Sequence, residues 1–569
     1  MPTNRTSPTP LPRKPKLTRY LVALCLALVA AFFFQLLGPN PAILISRPTT
    51  YITSPLSANG LPDYARYVRK RYAAGVTPDS NAAILLWQAV KLDDLDAGDV
   101  PIMCQALGIT VAPTDPNRLG YFDDQRTEEL VDWYGEKLDL DESKYMPWSE
   151  DIADQIVATA QKTPWKPKDV PALSRWLDKH RNQIELILSA SQRTQLYMPD
   201  PNWLHETDRA LIGTWPTPFE FAYPASTALS LSAMRHLGEG RVADAWSDIL
   251  ALFRLASLYY AGPSRIDFQR GLMIENTALD ATFAFLTANH VSTLQVQQAI
   301  RDLASLPPIP NPAPHIDGFE RIQALDTAIR IAEGRTAEVI EPLELGKQVT
   351  VFDYVSVDWN VVLRGLNELF DRLVTVTEQP DYESRRRALL AFDRHLTDLG
   401  KPHRDLAGLA RAIFSRSQRN HMLTVAIFSL TWSYVPVEQI AQAESRRNLA
   451  RIVGGFALYH RRHDEFPQRL DELAPYFLAE LPVDPFTSSP YYYRRSKLGY
   501  LLYSAGPNTF DDGGSNSSYN IVAGREIEWS KDEAMQKLLE QIPLNADDLS
   551  IRVPHPPFRL PTPPLSTNP

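Results

Sequence analysis

Apolar residues recur at three- and four-residue intervals through most of the chain and alternate with polar ones only near its C-terminal end. This pattern predicts a mainly α protein with a small region of strand. Tyr64, Val68 and Tyr72 share one helical face, and after the cap signal Pro78-Asp79-Ser80-Asn81 the apolar run Ala82–Val90 makes a second helix, so the two read as a helical hairpin. Helices resume at Ile152–Ala160 and Pro171–Ser191, where Trp176, Ile184 and Leu188 mark a buried stripe. The clearest block spans 225–306. Leu229, Leu231, Met234 and Leu237 precede a Gly238-Glu239-Gly240-Arg241 turn, and Ala245, Trp246, Ile249, Leu252 and Phe253 follow it. Two further helices, Leu272–Leu286 and Thr293–Leu306, complete a bundle.

Pro307–Pro314 holds five prolines in eight residues, which leaves too few backbone donors for a helix and marks a stiff connector. It divides a helical domain, 61–306, from a second helical region, 315–436. In the latter, Phe319–Arg335, Trp359–Val376 and Tyr382–Leu399 are helical, Val349–Phe352 is a short strand or buried turn, and the helical pattern continues from Ala407 to Pro436.

The N-terminus has a different logic. Residues 1–19 carry Arg5, Arg13, Lys14, Lys16 and Arg19 with no acid, and Tyr20–Leu37 is apolar apart from Gln35. Eighteen residues at 1.5 Å each reach roughly 27 Å, close to the hydrocarbon thickness of a bilayer. The segment 20–37 therefore reads as a single-pass transmembrane anchor; the competing reading is a cleaved signal peptide, for which the apolar run is long and no small-x-small site follows Phe32-Phe33-Phe34 promptly. The anchor's basic flank, 1–19, stays cytoplasmic, and the body lies outside. The Pro- and Ser-rich stretch 38–60 reads as a stalk. Met422–Val437 is the second most apolar segment, but its length and its internal Ser and Thr fit a buried helix better than a second span.

Composition narrows the function classes. The chain has 569 residues, 44% of them hydrophobic, and a net charge of −9, with no basic cluster past the N-terminus; a nucleic-acid partner is not expected. Its two cysteines, Cys25 and Cys104, make no disulfide framework. The sequence carries no Gly-rich phosphate loop with Lys-Ser/Thr, no His-Glu-x-x-His, no Gly-x-Ser-x-Gly and no Cys-x-x-Cys. His460 and His463 beside Asp464 and Glu465 have helical spacing for a metal, but Arg461 and Arg462 repel a cation there, and a positively charged helix C-terminus accounts for them. His395 and His403 with Asp393, Asp398 and Asp405 form another loose cluster, which scattered polar residues on helix surfaces explain equally well.

From Val437 the pattern changes to a helix followed by strands. Leu449, Ile452, Val453, Phe456 and Tyr459 lie on one face of a helix running to His463, while Arg446, Arg447, Arg451 and Arg461 point mostly to solvent. Phe466-Pro467 ends it. Leu470, Leu473 and Tyr476 make a short amphipathic turn, Leu481-Pro482-Val483-Asp484-Pro485-Phe486 is extended, and Tyr491–Arg494 and Tyr500–Ser504 are strands joined by Lys497-Leu498-Gly499. Ser504-Ala505-Gly506-Pro507-Asn508 and Asp511-Asp512-Gly513-Gly514 follow. This order of features, spanning 437–530, resembles the C-terminal domain of the major pseudopilin of type II secretion systems (protein G). The resemblance implies a pilin-like α+β module, a long helix on an antiparallel sheet. It also implies a calcium-binding loop, with Asn508, Asp511, Asp512 and Asn520 as candidate ligands and Trp529 near its end. Glycines and oxygen-bearing side chains suit calcium, and they equally suit a polar turn that caps a hairpin. The chain departs from that family in lacking a Gly-Phe leader and a Glu five residues into its apolar segment. Val76-Thr77-Pro78-Asp79-Ser80-Asn81-Ala82-Ala83 is similar to a segment of large membrane-anchored bacterial proteins that carry such a module, and this wider likeness brings no activity with it. Beyond the module, residues 531–569 read as an acidic helix, Lys531–Gln541, and, from Val553, a Pro-rich solvated tail.

Two function classes follow. One is a membrane-anchored extracytoplasmic scaffold that binds a protein partner and has a secretion-related role. The other is a periplasmic hydrolase or ligand-binding protein whose site lies between the helical body and the C-terminal module.

Overall fold

The computed structural model describes residues 16–92, 95–110, 113–120, 124–140, 149–204, 210–214, 219–341, 355–403, 405–431, 435–526, 537, 540–543, 545–554 and 557–561. The expected strand at Val349–Phe352, the helix at Lys531–Gln541, Trp529 and the basic residues before Lys16 lie wholly or largely outside them. The protein is mainly helical with a small antiparallel sheet and one N-terminal apolar helix.

Two hydrophobic cores divide the body. The first gathers the helices between Ala82 and Ser305. Its centre is the up-and-down series Ala222–Gly238, Val242–Tyr260, Arg265–Thr287 and Thr293–Ser305. The last two helices begin at capping boxes, Ser264 with Asp267 and Ser292 with Gln295, which satisfy amide donors that a helix N-terminus leaves unpaired. A close approach fixes the first turn of the series. A Cβ on Gly238 would sit 2.0 Å from the Trp165 carbonyl oxygen, so only glycine fits there.

The second core is built around Trp359–Thr377, whose Val362, Leu363, Leu366, Phe370 and Leu373 are fully buried. Arg321–Ala332, Tyr382–Gly400 and Arg416–Thr431 surround this helix. Leu423, Ile427 and Phe428 of the last are buried, so the Met422 region is a core helix. The connector at 307–314 marks the passage between cores: Ile309 belongs to the first and Ile316 to the second.

Tertiary packing changes three expectations. The helix Tyr64–Tyr72 does not form a hairpin with Ala82–Ala89; Tyr64 and Val68 enter the second core while Ala82, Leu86 and Trp87 enter the first. Nor is 38–60 a free stalk. Asn360 accepts from the Leu44 amide at 2.8 Å and donates to the Ala42 carbonyl at 2.9 Å, Asn367 donates to the Thr49 carbonyl at 2.8 Å, and Asn40 accepts from the Val357 amide at 2.7 Å. Those side chains satisfy backbone groups of a segment that is helical only over Arg47–Thr50 and has no longer periodic pattern, which is why composition alone reads it as solvated.

The third change concerns the C-terminus. Strands β1 (Tyr492–Arg495) and β2 (Tyr500–Ser504) form the expected hairpin. Next come the two-residue strands β3 (Ile521–Val522) and β4 (Arg525–Glu526), which pair with each other. Then β5 (Leu549–Val553) pairs antiparallel with β2 in register Leu502↔Ile551, giving the order β1-β2-β5. A segment lying between the expected acidic helix and the expected tail, and reaching the tail's first residue Val553, thus completes the sheet. Past β5, Phe558 and Leu560 pack against the first core, and Tyr134 donates to the Pro561 carbonyl at 3.0 Å.

The helix Val437–His463 lies between this sheet and the helical body. Phe456 packs on Tyr493 and Tyr500, with ring centres 4.8 and 4.5 Å apart. At Gly454 the Ile300 side chain comes so close that a Cβ would lie 2.7 Å from it. The arginines expected to face solvent hold the helix to the body. Arg446 pairs with Asp280, Arg447 with Glu275, and Arg461 donates to the Val291 carbonyl at 2.8 Å. The sheet and this helix share the first core.

Candidate functional site

The loop after β2 is pinned at its start by Asp484, from the Leu-Pro-Val-Asp-Pro segment. Its carboxylate is buried, accepts from the Ser504 hydroxyl at 2.8 Å and the amides of Ala505 and Phe486 at 3.2 and 3.1 Å, and burial pushes its pKa up. Gly506 then turns with φ of 65°, against the Asp547 carbonyl, where a Cβ would lie 2.2 Å from that oxygen.

Five polar residues meet here. Asn508 donates from Nδ2 to Asp512 Oδ2 at 2.8 Å and to the Asn545 carbonyl at 2.9 Å, and its amide donates to Asp547 Oδ2 at 2.9 Å. Asp511 Oδ1 accepts from the Tyr503 hydroxyl and the Gly513 amide, both at 2.9 Å. Asp548, which is 1% exposed, accepts from the Gly514 amide at 2.7 Å. Among the described residues, the other carboxylate oxygens of Asp547 and Asp548, both Oδ1, are buried without a hydrogen bond of good geometry, while the Asp512 amide lies against the Asp548 carboxyl and, like the Gly514 amide, opposes a rise of its pKa.

The charges shift accordingly. Burial, reinforced by the nearby Asp512, raises the Asp547 carboxyl to about 6, against the opposing Asn508 amide. Burial likewise raises Asp548 to about 7, with Asp512 and Asp511 adding repulsion and the Gly514 amide opposing it. An open lone pair on each of two crowded, proton-retaining carboxylates is the electrostatic condition that a hard cation relieves.

Of the residues picked from sequence, Asn508 and Asp512 are joined directly, and Asp511 lies close enough to repel Asp548 but is engaged with Tyr503 and Gly513. Asn520 occupies the turn before β3 with φ of 51°, and among the described residues no hydrogen bond links its side chain to the acids. Asp547 and Asp548 were not legible as site residues. The alternation Leu549-Ser550-Ile551-Arg552-Val553 just after them was the available signal, because it predicts a strand that would carry them back to the sheet. Among the described residues, no three His, Cys, Asp or Glu side chains form a group that could hold a metal ion. A cation here would therefore depend on carbonyl, amide and water oxygens beside two or so carboxylates. That donor set suits weakly held calcium.

His460 and His463 stack on Phe466 and Tyr459, with ring centres 4.5 and 4.4 Å apart, and serve packing. A second location lies where the body meets the C-terminal helix. A cavity of about 110 Å³ is lined by Pro310, Thr377, Arg385, Val437, Ile440 and Glu444. Burial raises the Glu444 pKa, and Arg385 and Arg447 oppose that rise. One carboxyl and one guanidinium in so small a space fall short of the several hundred Å³ and convergent polar groups of a typical ligand site.

No protein-family model, curated protein or solved structure matches the chain.

Proposed function

We propose that this chain is a membrane-anchored scaffold whose helical body and pseudopilin-like C-terminal module together present a surface to a protein partner. The observation that carries the reading is the Tyr20–Leu37 helix, apolar, unburied along its length and long enough to cross a bilayer. The body it leads into is two cores of packed helices, with a small cavity at their junction whose lining holds a single acid among the described residues. Helical-hairpin architectures of this kind bind more often than they react. A hydrolase site between body and module has less behind it.

In this reading the basic N-terminal flank is cytoplasmic and the body extracytoplasmic, at a bacterial inner membrane. The pilin-like module and its secretion-related setting rest on the order of motifs from Arg446 to Gly514. Calcium would be held by Asp547 and Asp548, completed by carbonyl, amide and water oxygens, and would neutralise the crowded carboxylates and stiffen the loop after β2. Few charged ligands imply a millimolar site.

The test is fractionation of cells expressing the full chain, followed by alkaline carbonate extraction and protease treatment of intact cells and spheroplasts. Retention in the membrane pellet, with the body digested only in spheroplasts, is the expected result. Release by carbonate, or protection of the body in spheroplasts, would overturn the reading.

A further inference from the structure

We infer that the helix Leu406–Phe414 is a second membrane contact, lying in the plane of the bilayer surface beside the anchor. This rests on the reading of Tyr20–Leu37 as a membrane span.

The helix buries only its small residues, Gly408 and Ala412, and turns its large apolar ones outward: Leu406 is 87% exposed, Leu409 46% and Phe414 54%. At positions i, i+3 and i+8 these make one apolar stripe. What covers that stripe follows from its neighbour. Phe414 stacks on Phe32 of the anchor, with ring centres 5.7 Å apart. Phe32 lies five residues before Leu37, which puts it about 7 Å inside the end of the apolar run at 1.5 Å per residue. An in-plane amphipathic helix sinks its apolar face about 5–10 Å into the boundary between headgroups and acyl chains, so the two depths agree.

The placement is held rigidly. Arg419 is fully buried, and its guanidinium donates to the Gln35 carbonyl at 2.8 Å, to the Ala412 carbonyl at 3.3 Å and to the Ile413 carbonyl. A single cation thus gathers the C-terminal carbonyls of the anchor and of Leu406–Phe414, complementing the negative end of both helices. The Ser356 amide also donates to the Leu36 carbonyl at 2.8 Å. A bilayer that accepts the anchor therefore meets Leu409 and Phe414 at its surface. Two attachment points would fix which face of the body is turned outward, which a lone span on a flexible stalk cannot do. Arg411, more than half exposed on the same helix, has the length to reach phosphates while its stem lies along the apolar zone.

The test places an environment-sensitive thiol label in the full-length chain, with Cys25→Ser and Cys104→Ala as background, reconstituted in phosphatidylcholine/phosphatidylglycerol vesicles. Labels go at Leu409→Cys and Phe414→Cys, at Val29→Cys in the anchor, and at Leu498→Cys in the exposed β1–β2 turn. Quenching is compared between lipids brominated high on the acyl chain and aqueous iodide. The inference expects labels at 409 and 414 to lose most of their fluorescence to brominated lipid and to resist iodide, with the opposite at 498. If 409 and 414 respond to iodide as 498 does while 29 is quenched by lipid, the inference is overturned and the anchor stands. Shielding of 409 and 414 from both quenchers would mean that protein covers the stripe, and would also overturn it. Failure of lipid to quench the label at 29 would remove the anchor reading, and the inference with it.

Discussion

Arg447 and Glu275 form a two-pronged ion pair between the C-terminal helix and the helical body, with Nη2 2.8 Å from Oε2 and Nε bonded to Oε1. Glu275 is fully buried and its Oε2 also accepts from the Tyr260 hydroxyl at 2.7 Å. The pair is the polar pin between the first core and the helix that carries the sheet. Arg447→Met strands the carboxylate with Tyr260 as its remaining partner among the described residues, and should cost about 3–5 kcal/mol. The double variant Arg447→Met/Glu275→Leu should recover most of that loss, as measured by urea unfolding of the detergent-solubilised chain.

The raised carboxyls of Asp547 and Asp548 set a pH dependence. Their folded values, about 6 and about 7, lie above the ordinary aspartate value near 3.9, so between these limits the folded chain holds protons that the unfolded chain has released. The stability they contribute is complete below about pH 4 and is lost as pH rises through 6 and 7. In chelator, the melting temperature of the wild type should fall from mildly acidic to mildly alkaline pH more steeply than that of Asp547→Asn/Asp548→Asn. Equal slopes would mean that these carboxyls titrate normally.

Calcium should reverse that slope, because it binds the deprotonated carboxylates. At slightly alkaline pH, millimolar calcium is expected to raise the melting temperature saturably, and less so at acidic pH. Asp547→Asn/Asp548→Asn should abolish the rise. Asp511→Ala alone should diminish it less, since that carboxylate is already engaged by Tyr503 and Gly513. A wild-type melting temperature indifferent to calcium would reduce the loop to a hydrogen-bonded turn.

Arg419→Met removes donors from buried carbonyls at the ends of two helices. At about 1–3 kcal/mol for each orphaned group, the loss should be several kcal/mol. Thermal unfolding would register it, and cysteine labelling near Gln35 should accelerate as the end of the N-terminal apolar helix loosens.

Glycine at 238 is required by a backbone neighbour, not by conformation. Gly238→Ala would drive a methyl into the Trp165 peptide and should destabilise by about 1–3 kcal/mol or more, although alanine is the better helix former. A neutral or stabilising result in chemical denaturation would show that the Trp165 segment yields.

How far the sequence reached differs between the body and the site. The bundle helices from 222 to 305 and the β1–β2 hairpin were legible because each is specified locally, by a 3.6-residue or alternating pattern and by caps. The candidate loop was half legible. Asn508, Asp511 and Asp512 lie within five residues of one another, whereas Asp547 and Asp548 reach them only because β5 pairs with β2 across more than forty residues.

By itself the sequence determined that this is a mainly helical chain with one long N-terminal apolar helix and a short C-terminal sheet, since period and length are properties of neighbouring residues. Only the tertiary structure decided that Tyr64–Tyr72 and Ala82–Ala89 part into different cores, that 39–50 docks on Asn360 and Asn367, and that Arg446, Arg447 and Arg461 turn toward the body. Each of these depends on a partner supplied from far along the chain, a carboxylate or amide that satisfies a buried group, and no local pattern encodes a partner.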